Sequence, residues 1–364
     1  MKKVLFYSDT PTYGGHEQMF LNFITSQDFN DCEFFLLHSM HNHKLSEKVA
    51  VHSRSFKKVF TFRHMSKSFN GIRNFFSFKA KQEIVEVIEE TKPDVIVLIQ
   101  GMIELSSLPV ILNRGCKVVS YIPQVLPLSQ TGAKLGALRD FLNKYYYSSL
   151  DKVITISPDN ASVCRERWGV ADDKLAIVNN GIDVEHQTVK HEEHSKFRFL
   201  CLGRFDLHCK RQDLLITTFI SRFKGCSNTE LHIVGTGDEQ STELLKSLAA
   251  EADNVFISPW VEDSLSLIDN FDALVINSAF EGVPLVALEA MSKGVPVIST
   301  DLPYCTMFQD LEEFHIVSRE NMLEDALQHL ASHGKRKSPL LKQRIIDDFS
   351  LKSNSLKFVQ EILG

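Results

Sequence analysis

Short, continuously apolar runs recur along the chain, separated by amphipathic stretches. In the first half they are Val4–Tyr7, Phe34–Leu37, Val95–Ile99, Val118–Ile122, Val153–Ile156 and Ala176–Val178. In the second half they are Phe197–Leu202, Leu231–Val234, Val255–Ile257, Ala273–Ile276 and Val295–Ile298. Apolar runs of this length without alternation predict strands buried on both faces of a parallel sheet. Between them, Glu17–Ser26 puts Met19, Phe20, Phe23 and Ile24 on one helical face, and Asp213–Phe223 does the same with Leu214, Leu215, Thr218 and Phe219. Lys79–Thr91 reads as a further helix. Strand and helix alternate through both halves, which predicts two open α/β domains. The polar, aperiodic string of residues 185–194 falls between them, as a linker would.

Composition supports this and narrows it. A chain of 364 residues has room for two domains, and 43% hydrophobic with 24% charged residues can bury a substantial core. No apolar stretch approaches the roughly 20 residues of a membrane-spanning helix. Two lysines and a short apolar run open the chain, but Asp9 breaks that run, so it reads as a first strand rather than a leader. Seven cysteines, scattered and without a C-x-x-C pair, argue against a disulfide framework or a zinc site and favour a reducing cytosol.

Four segments then suggest an anion site. After Ala273–Ile276 come Glu281, Gly282, Val283, Pro284, Leu285 and Val286, a strand end, a turn and a helix start. Pro284 suits a first helical turn, and the amides of residues 282–286 would face a phosphate. Glu281 and Glu289 are a little over two turns apart, so each carboxylate could hold its own pair of hydroxyls. After Phe197–Leu202, Gly203 permits a sharp turn, and Arg204 and Lys210 place two cations where open α/β sheets bind ligands. Gly235 and Gly237 follow the strand ending at Val234, a weak signal that also fits a tight turn. Gly14 and Gly15 follow the first strand, without the G-x-G-x-x-G of dinucleotide folds.

In this order the segments resemble the GT-B fold retaining glycosyltransferases of family 4, the large group 1 family. The resemblance is most specific over residues 197–300, in G-R-x5-K and in E-G-V-P-L-V-A-L-E-A-M-S-K-G-V-P-V-I. Ile177–Asp183 and the Gly14-Gly15-His16-Glu17 loop also match the family's pattern. It implies two Rossmann-like α/β domains: an acceptor-binding domain over 1–184, a linker over 185–196, a nucleotide-sugar-binding domain over 197–349, and a last helix, about 350–364, that returns to the first domain. It further implies that Arg204 and Lys210 stabilise the leaving diphosphate, Glu281 contacts the donor sugar and Glu289 the ribose. Gly14, Gly15, Gly203, Gly235 and residues 282–286 would line the donor. Trp260 and Val261 fall where the family binds the base. Many members carry a His in the stretch corresponding to Val118–Gln124; here there is none.

The expected reaction moves a hexose or N-acetylhexosamine from a UDP- or GDP-sugar to a glycan or lipid-linked acceptor in bacterial surface polysaccharide synthesis (lipopolysaccharide, capsule or exopolysaccharide). No D-x-D occurs, so no metal or other cofactor is expected, the cations acting in a metal's place. An epimerase of the same fold and a non-catalytic nucleotide-sugar-binding scaffold are the competing readings. The net charge is −6, yet residues 51–82 hold no Asp or Glu. Their cations, Arg54, Lys57, Lys58, Arg63, Lys67 and Arg73 among them, alternate with phenylalanines. Cations beside exposed aromatics would suit an anionic membrane surface, giving a cytoplasmic protein peripheral to the inner face of the plasma membrane. No nucleic-acid-binding motif is present.

Overall fold

A computed structural model describes the chain except residues 64–77, 100–107, 113, 124, 126–128, 130–135, 185–194, 319 and 335–336. Its contacts divide it into two compact units, Met1–Gly181 with Leu351–Gly364, and Ile182–Ser350. Most of the expected linker lies outside the described residues.

The first unit runs β1 (Lys2–Ser8), α1 (Gly15–Thr25), β2 (Cys32–Ser39), α2 (His43–Val51), β3 (Lys58–Phe62), α3 (Phe78–Thr91), β4 (Val95–Leu98), α4 (Leu108–Ile111), β5 (Lys117–Ile122), α5 (Gly136–Ser149), β6 (Lys152–Thr155), α6 (Pro158–Trp168) and β7 (Leu175–Ile177). The strands form one parallel sheet in the order β3-β2-β1-β4-β5-β6-β7. β1 sits in its middle, with Val4 opposite Phe34 on one side and Val95 on the other. Val4, Leu5, Phe6 and Tyr7 are buried, as an apolar run without alternation requires.

The second unit runs β8 (Phe197–Leu202), α7 (Gln212–Phe223), β9 (Thr229–Val234), α8 (Glu239–Ala249), β10 (Val255–Ser258), α9 (Ser264–Ile268), β11 (Ala273–Ile276), α10 (Leu285–Ser292), β12 (Val297–Thr300), β13 (Phe314–Val317), α11 (Glu320–His333) and α12 (Pro339–Asp348). Its parallel sheet has the order β10-β9-β8-β11-β12-β13. The order reverses at β8 and β11, the switch point outside which such sheets bind ligands. Phe199, Phe219 and Phe223 meet in its core.

The chain then returns to the first unit in α13 (Leu351–Leu363). Phe358 lies 4.9 Å from Phe23 and 5.0 Å from Tyr121, centroid to centroid, and Ser26 Oγ donates to Ser355 Oγ at 2.7 Å. A Cβ on Gly181 would come within 2.6 Å of the Leu351 Cα, so the crossing needs glycine. No described helix is long and apolar enough to cross a membrane.

Candidate functional site

In the second unit, the loop leaving β8 is organised by Asp206. Its Oδ1 accepts the Cys209 amide at 3.0 Å and its Oδ2 the Arg204 guanidinium at 2.8 Å. Its carbonyl accepts the Lys210 amide at 2.7 Å and the Arg211 amide at 3.3 Å. Gln212 closes the same loop, donating to the Arg204 carbonyl at 2.8 Å. Burial alone would raise the Asp206 carboxyl, but the Cys209 amide and Arg204 outweigh it and hold it below the usual range.

Folded this way, the loop presents Lys210, whose ammonium donates to the Glu281 carboxylate. Glu281 also accepts the Ser278 hydroxyl at 2.7 Å. The residue between Lys210 and α7, Arg211, takes a left-handed backbone with φ of 49°. Its guanidinium donates to the carbonyls of Asn277 at 2.9 Å and Ser278 at 3.1 Å, and the Asn277 amide returns a bond to the Arg211 carbonyl at 3.1 Å. The Ala279 amide donates to the Cys209 carbonyl at 2.7 Å. The loop after β8 and the loop after β11 are thereby one laced unit.

That second loop enters α10 through Pro284. Pro284 stands just ahead of the first helical residue and offers no side chain to cap the first turn. The sequence placed it within that turn. An uncapped helix start is where an anion binds most readily. Glu289, half-buried, is further along α10. Burial raises its carboxyl, Asp263 adds to the rise, and a hydrogen bond from Ser264 opposes it. Ser264 opens α9, three residues past Val261, so Glu289 is tied to the loop that carries Trp260. Trp260 is 42% exposed and hence not a core residue; Val261 is half-buried.

The glycines after β9 are filled from their own fold. A Cβ on Gly235 would lie 1.9 Å from the Gly203 carbonyl oxygen, and one on Gly237 2.5 Å from the Phe205 Cβ. They let the β9 loop press on the β8 loop, where the sequence had suggested ligand approach. Arg204, Asp206, His208, Thr236, Gly237 and Asp238 line an adjoining cavity of about 600 Å³.

In the first unit, Gly14 precedes α1 and Gly15 is exposed at its start. The Gly14 amide donates to Glu17 at 2.8 Å, so a carboxylate of the chain itself occupies this helix start. Burial lifts the Glu17 carboxyl to about 7, against bonds from its own amide and that of Gly14. His16 has both ring nitrogens buried without a partner, and burial lowers its pKa to about 3. Its ring lies 4.7 Å from that of Tyr121, within the stretch that lacks a His.

The basic segment is corrected in part. Phe56 and Phe62 are buried and Phe60 joins the core beside them, because β3 is an edge strand turning alternate residues inward. Lys57 pairs with Glu33 at 3.2 Å and Lys58 with Glu90, while Arg54 and Arg63 are exposed. Lys67 and Arg73 lie outside the described residues. Phe69, Phe75 and Phe76 lie outside the described residues as well, so the withdrawal from a lipid-facing role applies to Phe56, Phe60 and Phe62.

Two family descriptions match the sequence in tandem: Glycosyltransferase Family 4 over residues 13–186, and Glycosyl transferases group 1 over residues 196–333. The chain belongs to the family 4, group 1 glycosyltransferases. An uncharacterized glycosyltransferase of Methanocaldococcus jannaschii is 26% identical over 67% of this chain and 64% of its own length. The O-antigen biosynthesis glycosyltransferase WbnH of Escherichia coli is 23% identical over 84% of this chain and 83% of its own. Among solved structures, the lipopolysaccharide outer core galactosyltransferase WaaB superposes with a TM-score of 0.72 at 20% identity, over 99% of both chains. Anabaena HepE with UDP-glucose gives 0.77 at 13% identity, again over 99% of both. These likenesses establish the GT-B fold for the glycosyltransferase.

Sequence reasoning had picked out Arg204, Lys210, Glu281 and Glu289 as site residues, and the structure brings Lys210 and Glu281 into contact. It had missed Asp206, Arg211, Gln212, Ser264 and Ser278. Polar residues packed between a cationic loop and a helix start were the available signal for the first three.

Proposed function

We propose that this glycosyltransferase is a retaining, metal-independent enzyme of bacterial surface polysaccharide synthesis. It transfers a hexose or N-acetylhexosamine from a UDP- or GDP-sugar to a glycan or lipid-linked acceptor. The O-antigen and lipopolysaccharide names of WbnH and WaaB support the pathway, and the UDP-glucose held by HepE favours UDP. The observation that carries the proposal is the Lys210–Glu281 pair set against the uncapped start of α10.

As the sugar–phosphate bond breaks, the sugar becomes cation-like and negative charge grows on the diphosphate. Lys210, Arg204 and the first-turn amides of α10 meet that charge without reorganising, the role a metal has elsewhere. Glu281 exchanges part of its bond with Lys210 for a sugar hydroxyl. Glu289, oriented by Ser264, holds the ribose, and the exposed Trp260 stacks on the base. No side chain acts as nucleophile: the acceptor hydroxyl attacks from the face the leaving group departs and gives its proton to the departing diphosphate oxygen, which retains configuration.

Thermal melting with UDP, GDP and their sugars tests the donor. A nucleotide at 100 times its Kd adds about 2.7 kcal/mol of stability. We expect UDP to raise the melting temperature and GDP to do so less. No shift with any nucleotide refutes the donor assignment, and an inverted anomer in the product refutes retention.

A further inference from the structure

Lys293 and Asp269 form the most deeply buried ion pair among the described residues, with side chains 3% and 2% exposed. The Lys293 ammonium donates to Asp269 Oδ2 at 2.9 Å, and that of Lys337 donates to Oδ1 at 3.2 Å. Withdrawing such charges from water can cost more than their attraction returns, and apolar residues of similar size often pack at least as stably. What an ion pair adds is geometry. With both oxygens engaged, Asp269 accepts one arrangement of its neighbours and no other.

The elements it joins are the two that carry Glu289 and the donor that holds it. Lys293 directly follows α10, one helical turn past Glu289, and its amide donates to the Glu289 carbonyl at 3.3 Å. Asp269 directly follows α9, and its amide donates to the Leu265 carbonyl at 3.4 Å. Ser264, which bonds to the Glu289 carboxyl, opens that same helix. α9 and α10 are thereby tied twice, Ser264 to Glu289 at one end and Asp269 to Lys293 at the other.

α9 cannot keep this place by itself. It has five residues, a length at which an isolated helix does not persist, and Ile268 is its one buried residue. Glu289 in turn depends on α9. Burial pushes its carboxyl toward the protonated form, and the Ser264 bond opposes that. Only the ionised group offers acceptors on both oxygens to a pair of neighbouring hydroxyls.

We propose that Asp269 and Lys293 are a positioning pair for nucleotide recognition. By holding α9 against α10 they keep Ser264 on Glu289, and so give the site its preference for a ribonucleotide over the 2′-deoxy form. This rests on the ribose role proposed for Glu289 above.

The test is titration calorimetry of the full chain with UDP and 2′-deoxy-UDP, or with the guanine pair if GDP is the nucleotide bound. The wild type should bind the ribonucleotide at least ~10-fold more tightly, because the deoxy form leaves a charged acceptor short of a hydroxyl. Asp269→Leu with Lys293→Met replaces the pair by apolar side chains, while the half-buried Lys337 can turn to water. This double variant should melt close to the wild type and bind the two nucleotides within ~3-fold of each other. In turnover the loss should fall on KM for the donor rather than on kcat. Ser264→Ala should reproduce the effect and add nothing to the double variant, since both act on one contact. Should the double variant not fold, Lys337→Met frees Asp269 Oδ1 alone and should lower the preference at least ~2-fold. A wild type that binds both nucleotides equally would refute the ribose role of Glu289, and this proposal with it. A preference present in the wild type and undiminished in the folded double variant, or in Lys337→Met in its stead, would overturn the positioning pair alone.

Discussion

Arg211 is the most exacting test of the laced loops. Replacing it with alanine removes two charged hydrogen bonds, at 2.9 and 3.1 Å, to the carbonyls of Asn277 and Ser278. Both residues are buried, so the Asn277 carbonyl loses a partner that water does not readily replace, while the Ser278 carbonyl keeps the Thr300 hydroxyl at 2.6 Å. Bonds of this kind contribute about 1.5–3 kcal/mol each, which puts the loss at roughly 3–6 kcal/mol. Alanine also keeps the cost of a left-handed backbone, about 1 kcal/mol, which glycine avoids. Arg211→Gly should therefore be more stable than Arg211→Ala by about 1 kcal/mol. Both should lose activity alike, because both free the turn that holds Ser278 and Glu281. A displacement near 1 Å at a reacting group costs about 100-fold in rate, so a fall in kcat of that order is expected. Urea denaturation gives the stabilities and release of nucleotide from the sugar donor gives kcat. A glycine variant with wild-type kcat, or an alanine variant more stable than glycine, would refute the positioning role.

Further outcomes follow from the same geometry. Lys210→Ala should lower kcat by ~100-fold or more, measured by donor turnover, since it removes a fixed charge from the leaving diphosphate. Gly235→Ala should cost at least ~3 kcal/mol in denaturation, because its Cβ lands 1.9 Å from the Gly203 oxygen and the β8 loop has to yield. Glu17, lifted from 4.5 to about 7, contributes stability that is complete below pH 4.5 and is lost as pH rises through 7, about 3 kcal/mol in all. Glu17→Gln should flatten that loss, and parallel stability curves between pH 5 and 8 would contradict it. His16 works in the opposite sense: with its pKa lowered from 6.5 to about 3, its contribution is present above pH 6.5 and is lost as pH falls toward 3. His16→Gln should make denaturation less sensitive to acid.

The sequence made the central strands legible because burial on both faces leaves mostly apolar runs: Val4–Tyr7 in β1 and Ala273–Ile276 in β11 are wholly apolar, and β5 and β8 each carry one polar residue inside the run, Ser120 and Arg198. The edge strands β3 and β13 were harder to see. In β3, Val59 and Thr61 face outward between Phe60 and Phe62, and neighbouring lysines made the segment look like a charged surface. At β13, Glu312 and Glu313 just ahead of the strand and His315 within it obscure its four residues. For the candidate site, Lys210, Glu281 and Glu289 could be picked out from spacing. Arg211 could not, since its partners lie 66 and 67 residues away and nothing local announces a left-handed arginine. Gly235 was legible as glycine, but the atom that demands it belongs to another strand's loop.

The return of the chain in α13 sets a timetable for synthesis. The first unit has all seven strands once Ile177 has emerged, yet the Phe358 that covers Phe23 and Tyr121 comes only after the whole second unit. At about 5–20 residues per second, the roughly 170 residues of Ile182–Ser350 hold that apolar seam open for some 8–34 s. Ribosomes translating this message therefore carry a nascent domain that is assembled but unsealed. That interval is when chaperones and proteases compete for it, and a premature stop between Ile182 and Ser350 would leave both units unfinished.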